Sequence, residues 1–86
     1  RKWHPVLLFQ LSRHGPLGFS ALKDRTDGIS SKMLSESLSD LEESGLVTRD
    51  IVDDRPVRVE YALAERGETL LPVVEAMVDW GLEEAE

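Results

Sequence analysis

The sequence predicts a mainly helical domain that carries a small β-hairpin, and three observations support this. Residues 30 to about 44 read as a capped helix. Two β-rich runs, residues 46–52 and 57–63, come after it and are joined by the tight charged turn Asp53-Asp54-Arg55-Pro56. Two shorter helical patterns precede it, and one longer pattern closes the chain. The order is therefore helix, short strand, helix, helix, strand, wing, strand, helix, which is a winged helix-turn-helix.

Each element has a local cause. The first helix is His4 to His14, where Pro5 suits the first helical position because its missing N–H costs nothing there. Leu7, Leu8 and Leu11 form its buried stripe, Phe9 sits on a second face, and Gly15-Pro16 ends it. Leu17-Gly18-Phe19 reads as a short extended piece, a candidate third strand for the wing sheet. Ser20 is the expected cap of a second helix running to about Thr26, which buries Ala21 and Leu22. Thr26-Asp27-Gly28 makes the turn into the third helix.

Ser30 caps that third helix, with Ile29 as the hydrophobic staple before it. At roughly 100° per residue Leu34, Leu38 and Leu41 share one core-facing stripe. Lys32, Ser35, Glu36, Ser39 and Glu43 fall on the opposite face, and Gly45 takes the position just past the end. In the second β run Val57, Val59, Tyr61 and Leu63 alternate with Arg58, Glu60 and Ala62.

Residues 65 to about 84 are predicted as the last and longest helix, bent at Pro72, which deletes the hydrogen bond to Glu68. Leu70, Val74 and Met77 form one apolar stripe, and Leu71, Val78 and Leu82 form another. Two stripes exceed what one small domain needs, so a partner helix from a second copy is expected. Leu70, Val74, Met77, Val78 and Trp80 are the candidate dimerisation residues.

Size and composition limit the alternatives. Eighty-six residues make one domain, expected to span 1–86 with its dimerisation helix at the C-terminal end. Such a domain buries only about 60–65% of its unfolded surface, and oligomerisation is the usual remedy. There are no cysteines, hence no disulfide, zinc-thiolate site or thiol switch in this sequence. No apolar run approaches the ~20 residues of a membrane span, and no signal peptide is visible. A soluble cytoplasmic protein is the simplest expectation, although the abrupt opening at Arg1-Lys2-Trp3 is that of a trimmed chain.

The net charge of −7 argues superficially against nucleic acid. Its distribution softens that: residues 1–35 carry six basic side chains against two acidic ones, whereas residues 36–86 carry four against fifteen. Three lysines against seven arginines, with 17 acids, suit a high-salt cytoplasm; an ordinary acidic protein with an acidic dimer helix accounts for them nearly as well. At about 1 M salt the Debye length is only about 3 Å, so distant acids would be screened from DNA.

Taken together, the motifs resemble the HxlR-type winged-helix regulators, relatives of the MarR family. The matching pieces are Lys2-Trp3, GPLGFSAL at 15–22, GISSKML at 28–34, LSDLEESGLVTR at 38–49, RPVRVEYAL at 55–63 and LLPVVEAMVDWG at 70–81. None is specific alone; together, in this order, they cover nearly the whole chain. The resemblance implies a homodimeric transcription regulator that binds double-stranded DNA at a pseudo-palindromic operator. It also implies an N-terminal segment ahead of Lys-Trp, often with a cysteine, that helps the dimer form. A small-molecule effector is a further implication, with Trp3, Phe9 and Trp80 either lining a pocket at the dimer interface or simply packing.

Candidate DNA contacts come from residue chemistry. Ser30 and Ser31, at a helix N-terminus, suit phosphate, although capping alone explains Ser30. Lys32 is the one cation on the outer face, for phosphate or guanine, or else a solvated surface lysine. Ser35 and Ser39 can donate or accept but specify bases weakly. Glu36 can accept from cytosine N4 or be repelled by phosphate. Arg55 and Arg58 on the wing can reach the minor groove or pair with Asp53, Asp54 or Glu60. Lys23 and Arg25 are candidate backbone contacts, with Arg13 and Lys2 weaker ones.

Enzymatic chemistry finds no support. His4 and His14 stand ten residues apart with no third ligand or nucleophile, so neither a metal site nor a triad arises from spacing. There is no nucleophile motif and no glycine-rich phosphate loop, so no cofactor is expected. Glu42-Glu43 and Glu83-Glu84 read as solvated charge runs. The rival is a winged helix that binds protein instead of DNA, favoured by the acids on the outer helix face and opposed by the basic N-terminal half and the wing arginines.

Overall fold

Helices and a three-stranded antiparallel sheet surround one leucine-rich core in a computed structural model that describes residues 3–80. The elements are α1 (His4–His14), β1 (Leu17–Gly18), α2 (Phe19–Arg25), α3 (Ser31–Glu43), β2 (Val47–Asp54), β3 (Val57–Leu63), α4 (Glu65–Glu68) and α5 (Leu71–Asp79). Arg1, Lys2, Leu82, Glu83 and Glu84, together with the Val78 side chain, lie outside the described residues.

The core is built from the predicted stripes. Leu7, Leu8 and Leu11 of α1 meet Leu22 of α2, Leu34, Leu38 and Leu41 of α3, Val47 of β2 and Val74 of α5, with Ile29 beneath the α3 cap. Trp3, Phe9, Phe19, Tyr61 and Leu63 close its edges as half-buried neighbours. Pro5 stands at the second helical position rather than the first, because Trp3 is the cap residue of α1 and His4 opens the helix. Either position spares an N–H that would have no helical partner.

The third strand is present. Leu17 pairs with Tyr61 and Gly18 with Glu60, giving the order β1-β3-β2. Ser20 is not the cap of α2. Gly18, still extended, is the residue before the helix, and Ser20 lies exposed within the first turn. The reason is burial: Phe19 has to turn in against the core immediately after Gly18 leaves the strand, so the helix opens earlier than a serine cap would place it. Leu22 is buried as expected, and Ala21 is only half-buried.

α3 matches expectation closely. The Ser30 Oγ accepts from the Met33 N–H at 3.1 Å, and Gly45, at φ 78°, takes the left-handed position past Ser44. Leu46 then ties the end of α3 to the start of α4: its N–H donates to the Leu41 carbonyl at 3.0 Å, and its own carbonyl accepts from the Ala64 N–H at 3.0 Å.

Two further expectations are corrected. The hairpin is longer and its turn shorter than predicted: β2 runs to Asp54, which pairs with Val57, leaving only Arg55-Pro56 at the tip. One extra residue, Val52, is accommodated as a bulge between the Ile51–Val59 and Asp53–Arg58 pairs. The predicted single last helix is two helices. α4 stops after Glu68, where the Thr69 Oγ1 donates to the Arg66 carbonyl at 2.6 Å, and α5 restarts with the Val74 N–H on the Leu70 carbonyl at 2.9 Å. Pro72 therefore sits in the first turn of α5, where its missing N–H is tolerated, and the predicted bend becomes a break.

Candidate nucleic-acid interface

α3 presents a polar outer face because its core stripe uses up Leu34, Leu38 and Leu41, with Ser37 buried beside them. Ser31, Lys32, Ser35, Glu36 and Ser39 are all exposed on it, as is the cap Ser30. The Ser30 oxygen is engaged as cap acceptor, which leaves its hydroxyl hydrogen free to donate. No acid stands in the first turn of α3, so the positive end of the helix dipole is uncompensated there. Asp40, Glu42 and Glu43 gather towards the other end, whereas Glu36 stands in the N-terminal half, one turn from Lys32. The face thus runs from an acid-free, hydroxyl-bearing first turn with Lys32, through Glu36, to an acidic C-terminal end.

Met33 is 40% exposed on α3 and is not among the contacts expected from sequence, although its wheel position off the leucine stripe signals it. An apolar side chain there can contact a thymine methyl group.

The wing supplies further arginines, balanced in number by aspartates: Arg49, Arg55 and Arg58 against Asp50, Asp53 and Asp54. Residues 48–58 are exposed throughout. The Arg55 N–H donates to the Asp53 Oδ1 at 3.3 Å, so Asp53 is used in shaping the turn rather than in binding a guanidinium. Among the described residues neither Arg55 nor Arg58 lies within 4.0 Å of a carboxylate oxygen, so the pairing with Asp53, Asp54 or Glu60 does not form.

Lys23 and Arg25 are exposed in the last turn of α2, with the Arg25 Nη1 3.5 Å from the His14 Nε2. Arg13 stands 5.6 Å from the centre of the Phe9 ring, a cation–π contact on α1. The His4 Nε2 lies 3.7 Å from the Asp40 Oδ2 and so joins α1 to α3. The two histidines are thus in different places, and no cluster of three metal-ligating side chains occurs among the described residues. Arg49, which sequence patterning did not single out, is exposed on β2 and lines a groove of about 530 Å3 with Arg58, Phe19 and Ser20.

The candidate dimer residues separate. Val74 is 3% exposed and belongs to the core of its own chain, packed where α5 meets α1. Met77 is half-buried, whereas Leu70 and Trp80 are exposed, Trp80 at 88%; Val73, not among those candidates, is exposed as well. Trp3 and Phe9 pack against the core of the same chain. No helix among the described residues is long and apolar enough to cross a membrane.

A capped helix with a polar outer face, a preceding short helix that turns into it, and a three-stranded sheet ending in an arginine-bearing wing define a winged helix-turn-helix domain of the transcription-regulator class, not an enzyme. The chain belongs to the HxlR-like helix-turn-helix family, which it matches over residues 1–86. It is 39% identical over 80 residues to an uncharacterised HTH-type transcriptional regulator of Methanothermobacter thermautotrophicus, covering 93% of this chain and 60% of that protein. A second such regulator, YvaP of Bacillus subtilis, is 35% identical over 83 residues, which is 96% of this chain and 76% of the relative.

Solved structures agree. The redox regulator HypR in its oxidised form superimposes with a TM-score of 0.85 at 33% identity, over 98% of this chain and 84% of that one. The reduced form of the transcriptional regulator YodB from B. subtilis gives 0.80 at 34% identity, over 93% and 78%. The comparisons lend no support to a high-salt origin for this chain.

Proposed function

We propose that this domain acts as a homodimeric transcriptional regulator in the cytoplasm, binding double-stranded DNA at a pseudo-palindromic operator. The N-terminal half of α3 enters the major groove, and Arg55 and Arg58 reach the flanking groove. The observation that carries this is the pairing of an acid-free, Ser30-capped helix start bearing Ser31, Lys32 and Ser35 with wing arginines free of carboxylate partners. Recognition helices read bases mostly with their N-terminal residues, and the first turn of α3 carries no acid, with Glu36 following one turn after Lys32 and Asp40, Glu42 and Glu43 lying further on.

The exposed apolar side chains Leu70, Val73 and Trp80 support a dimer through α5, which would set the two α3 helices roughly 34–36 Å apart. A small-molecule effector acting between the two copies fits the same surface, Trp80 being free to line such a cavity.

The test is a fluorescence-anisotropy titration of the chain with its own upstream promoter DNA beside scrambled DNA, at about 0.1 M and about 2 M KCl. Preferential binding to the promoter at either salt is expected. Absence of binding at both, with a folded dimer confirmed, would instead favour a protein-docking winged helix using the acidic half of α3.

A further inference from the structure

The turn that joins α2 to α3 carries a chemistry of its own. It consists of Asp27-Gly28 and stands between two buried residues, Thr26 at 2% and Ile29 at 5% exposure. The Ile29 N–H donates to the Thr26 carbonyl at 3.3 Å and closes a β-turn with Asp27 and Gly28 at its centre. Gly28 has φ 85°, and among the described residues only glycines have a positive φ, so Asp27 stands at negative φ and the turn is of type II. Among the described residues nothing accepts from the Gly28 N–H. The Asp27 carboxylate likewise has no hydrogen-bond donor, and no cation within 4.0 Å. Both residues are exposed, and a Cβ built on Gly28 would meet nothing within 4 Å. A carboxyl group and the amide nitrogen next to it are therefore both unengaged and open to water.

An aspartyl carboxyl carbon and the nitrogen of the following residue are the right number of bonds apart to close a five-membered ring. A side chain on that following residue crowds the closure, and glycine has none. Of the seven aspartates in the chain, Asp27 alone is followed by glycine; the others precede Arg25, Leu41, Ile51, Asp54, Arg55 and Trp80. Closure needs the Asp27 Cα–C bond to rotate out of the turn geometry. The turn's own hydrogen bond, at 3.3 Å, lies just beyond the usual range of about 2.7–3.2 Å, and exposed turns open locally at little cost.

From these observations we propose that Asp27-Gly28 is a site of spontaneous succinimide formation and conversion to isoaspartate. The Gly28 nitrogen bonds to the Asp27 Cγ, and the bond from Cγ to one carboxyl oxygen breaks. That oxygen leaves as water, taking the proton of the neutral carboxyl group and the proton of the amide. Water then adds back to the ring. Addition at Cγ restores aspartate. Addition at the former backbone carbonyl carbon breaks its bond to the Gly28 nitrogen and leaves the chain running through Cβ and Cγ. Water is the only co-reactant, and the composition of the chain is unchanged. The product carries one more backbone carbon between Thr26 and Ile29, which lengthens the path by about 1.5 Å. Both of those neighbours are buried, so the added length displaces α2 relative to the Ser30 cap of α3. Conversion thus ages the domain at the turn of its helix-turn-helix. The loss of DNA affinity that follows rests on the DNA-binding function above.

The experiment is ageing of the full chain in warm, mildly acidic buffer, followed by peptide mapping. Trypsin cleaves after Arg25 and Lys32 and releases residues 26–32 as one peptide. That peptide is expected to split into two chromatographic peaks of equal mass, beside a minor one lighter by one water. The new peak of equal mass should accept a methyl group from S-adenosylmethionine in the presence of an isoaspartyl methyltransferase. Conversion at Asp27 should exceed that at any other aspartate by roughly tenfold or more, because only Asp27 precedes a residue without a Cβ. Asp27→Glu keeps the charge and lengthens the side chain by one carbon, and should give a single peak. Converted wild type, separated from unconverted chain, should melt several degrees lower and bind promoter DNA more weakly, whereas aged Asp27→Glu should keep both properties.

A 26–32 peptide that stays a single peak, or conversion no faster than at Asp24 or Asp53, overturns the site. Converted protein that melts together with fresh protein shows that the turn absorbs the extra carbon, and overturns its structural effect. Fresh wild type that binds no DNA overturns the DNA-binding function alone, because the peptide map and the melt read the turn without DNA.

Discussion

Gly67 of α4 backs directly onto the carbonyl oxygen of Leu46, with no room between them for even one methyl group. Leu46 is the residue that leaves α3, so this contact locks α4 to the end of α3. Gly67→Ala is expected to destabilise the domain by about 1–3 kcal/mol through overpacking against backbone, which cannot move as a side-chain tip can. Urea unfolding followed by circular dichroism measures it, and a change below about 0.5 kcal/mol would show that the contact yields.

Thr26 predicts the opposite sign. It is fully buried at the turn between α2 and α3, and its Oγ1 has no hydrogen-bond partner among the described residues. A buried unsatisfied hydroxyl costs roughly 1–3 kcal/mol, so Thr26→Val, of nearly the same shape, should raise the unfolding midpoint by an amount equivalent to about 1 kcal/mol. A lowered midpoint would mean that the hydroxyl finds a partner in solution.

Ser30 separates folding from binding. Ser30→Ala removes the cap acceptor for Met33 and should cost about 1 kcal/mol of stability. Ser30→Asp keeps a good cap, so stability should hold. It nevertheless places a negative charge where phosphate is expected, so DNA affinity should fall on promoter and scrambled sequences alike. Thermal melts and anisotropy titrations on the same preparations read the two effects.

Lys32 and Glu36 sit one turn apart on the exposed face of α3 and should act against each other. Lys32→Ala should weaken binding on every sequence and flatten the salt slope, as loss of a phosphate contact does. Glu36→Gln should strengthen binding to scrambled DNA by removing repulsion. If it instead weakens binding only where a cytosine occupies one operator position, Glu36 is a base reader.

Val74 and Trp80 should fail in different ways. Val74→Ala opens the core where α5 meets α1 and should cost about 1.5 kcal/mol of stability, on the basis of the methyl groups removed. Trp80→Ala touches an almost fully exposed side chain, so it should leave the melt of one chain unchanged while shifting the dimer–monomer balance towards monomer. Light scattering across a concentration series distinguishes the two.

Much of this architecture is legible from spacing. The leucine stripes of α1 and α3 need only a 3.6-residue period, and Ser30 and Gly45 are helix boundary signals whose side chain, or lack of one, dictates the backbone. The features that spacing misses depend on contacts distant in sequence. Pro72 announces a disturbance, but the break falls at Thr69, because the Thr69 hydroxyl takes the Arg66 carbonyl and Gly67 is pressed onto Leu46. Phe19 displaces Ser20 from the cap because the core claims the ring. The outer face of α3 is readable for the same reason as the core: it is the surface that the leucine stripe leaves over.

The exposed outer half of the hairpin has a further consequence. From Thr48 to Arg58 no side chain is anchored in the core, so that stretch is held by its strand ladder and the short turn at Arg55-Pro56. Its opening is therefore energetically separable from unfolding of the helices, and it forms a local unit of low stability attached to a rigid body. The wing can fray and re-form while α3 stays in place, which would let the protein loosen its grip on one groove, and move along the duplex, without surrendering its fold.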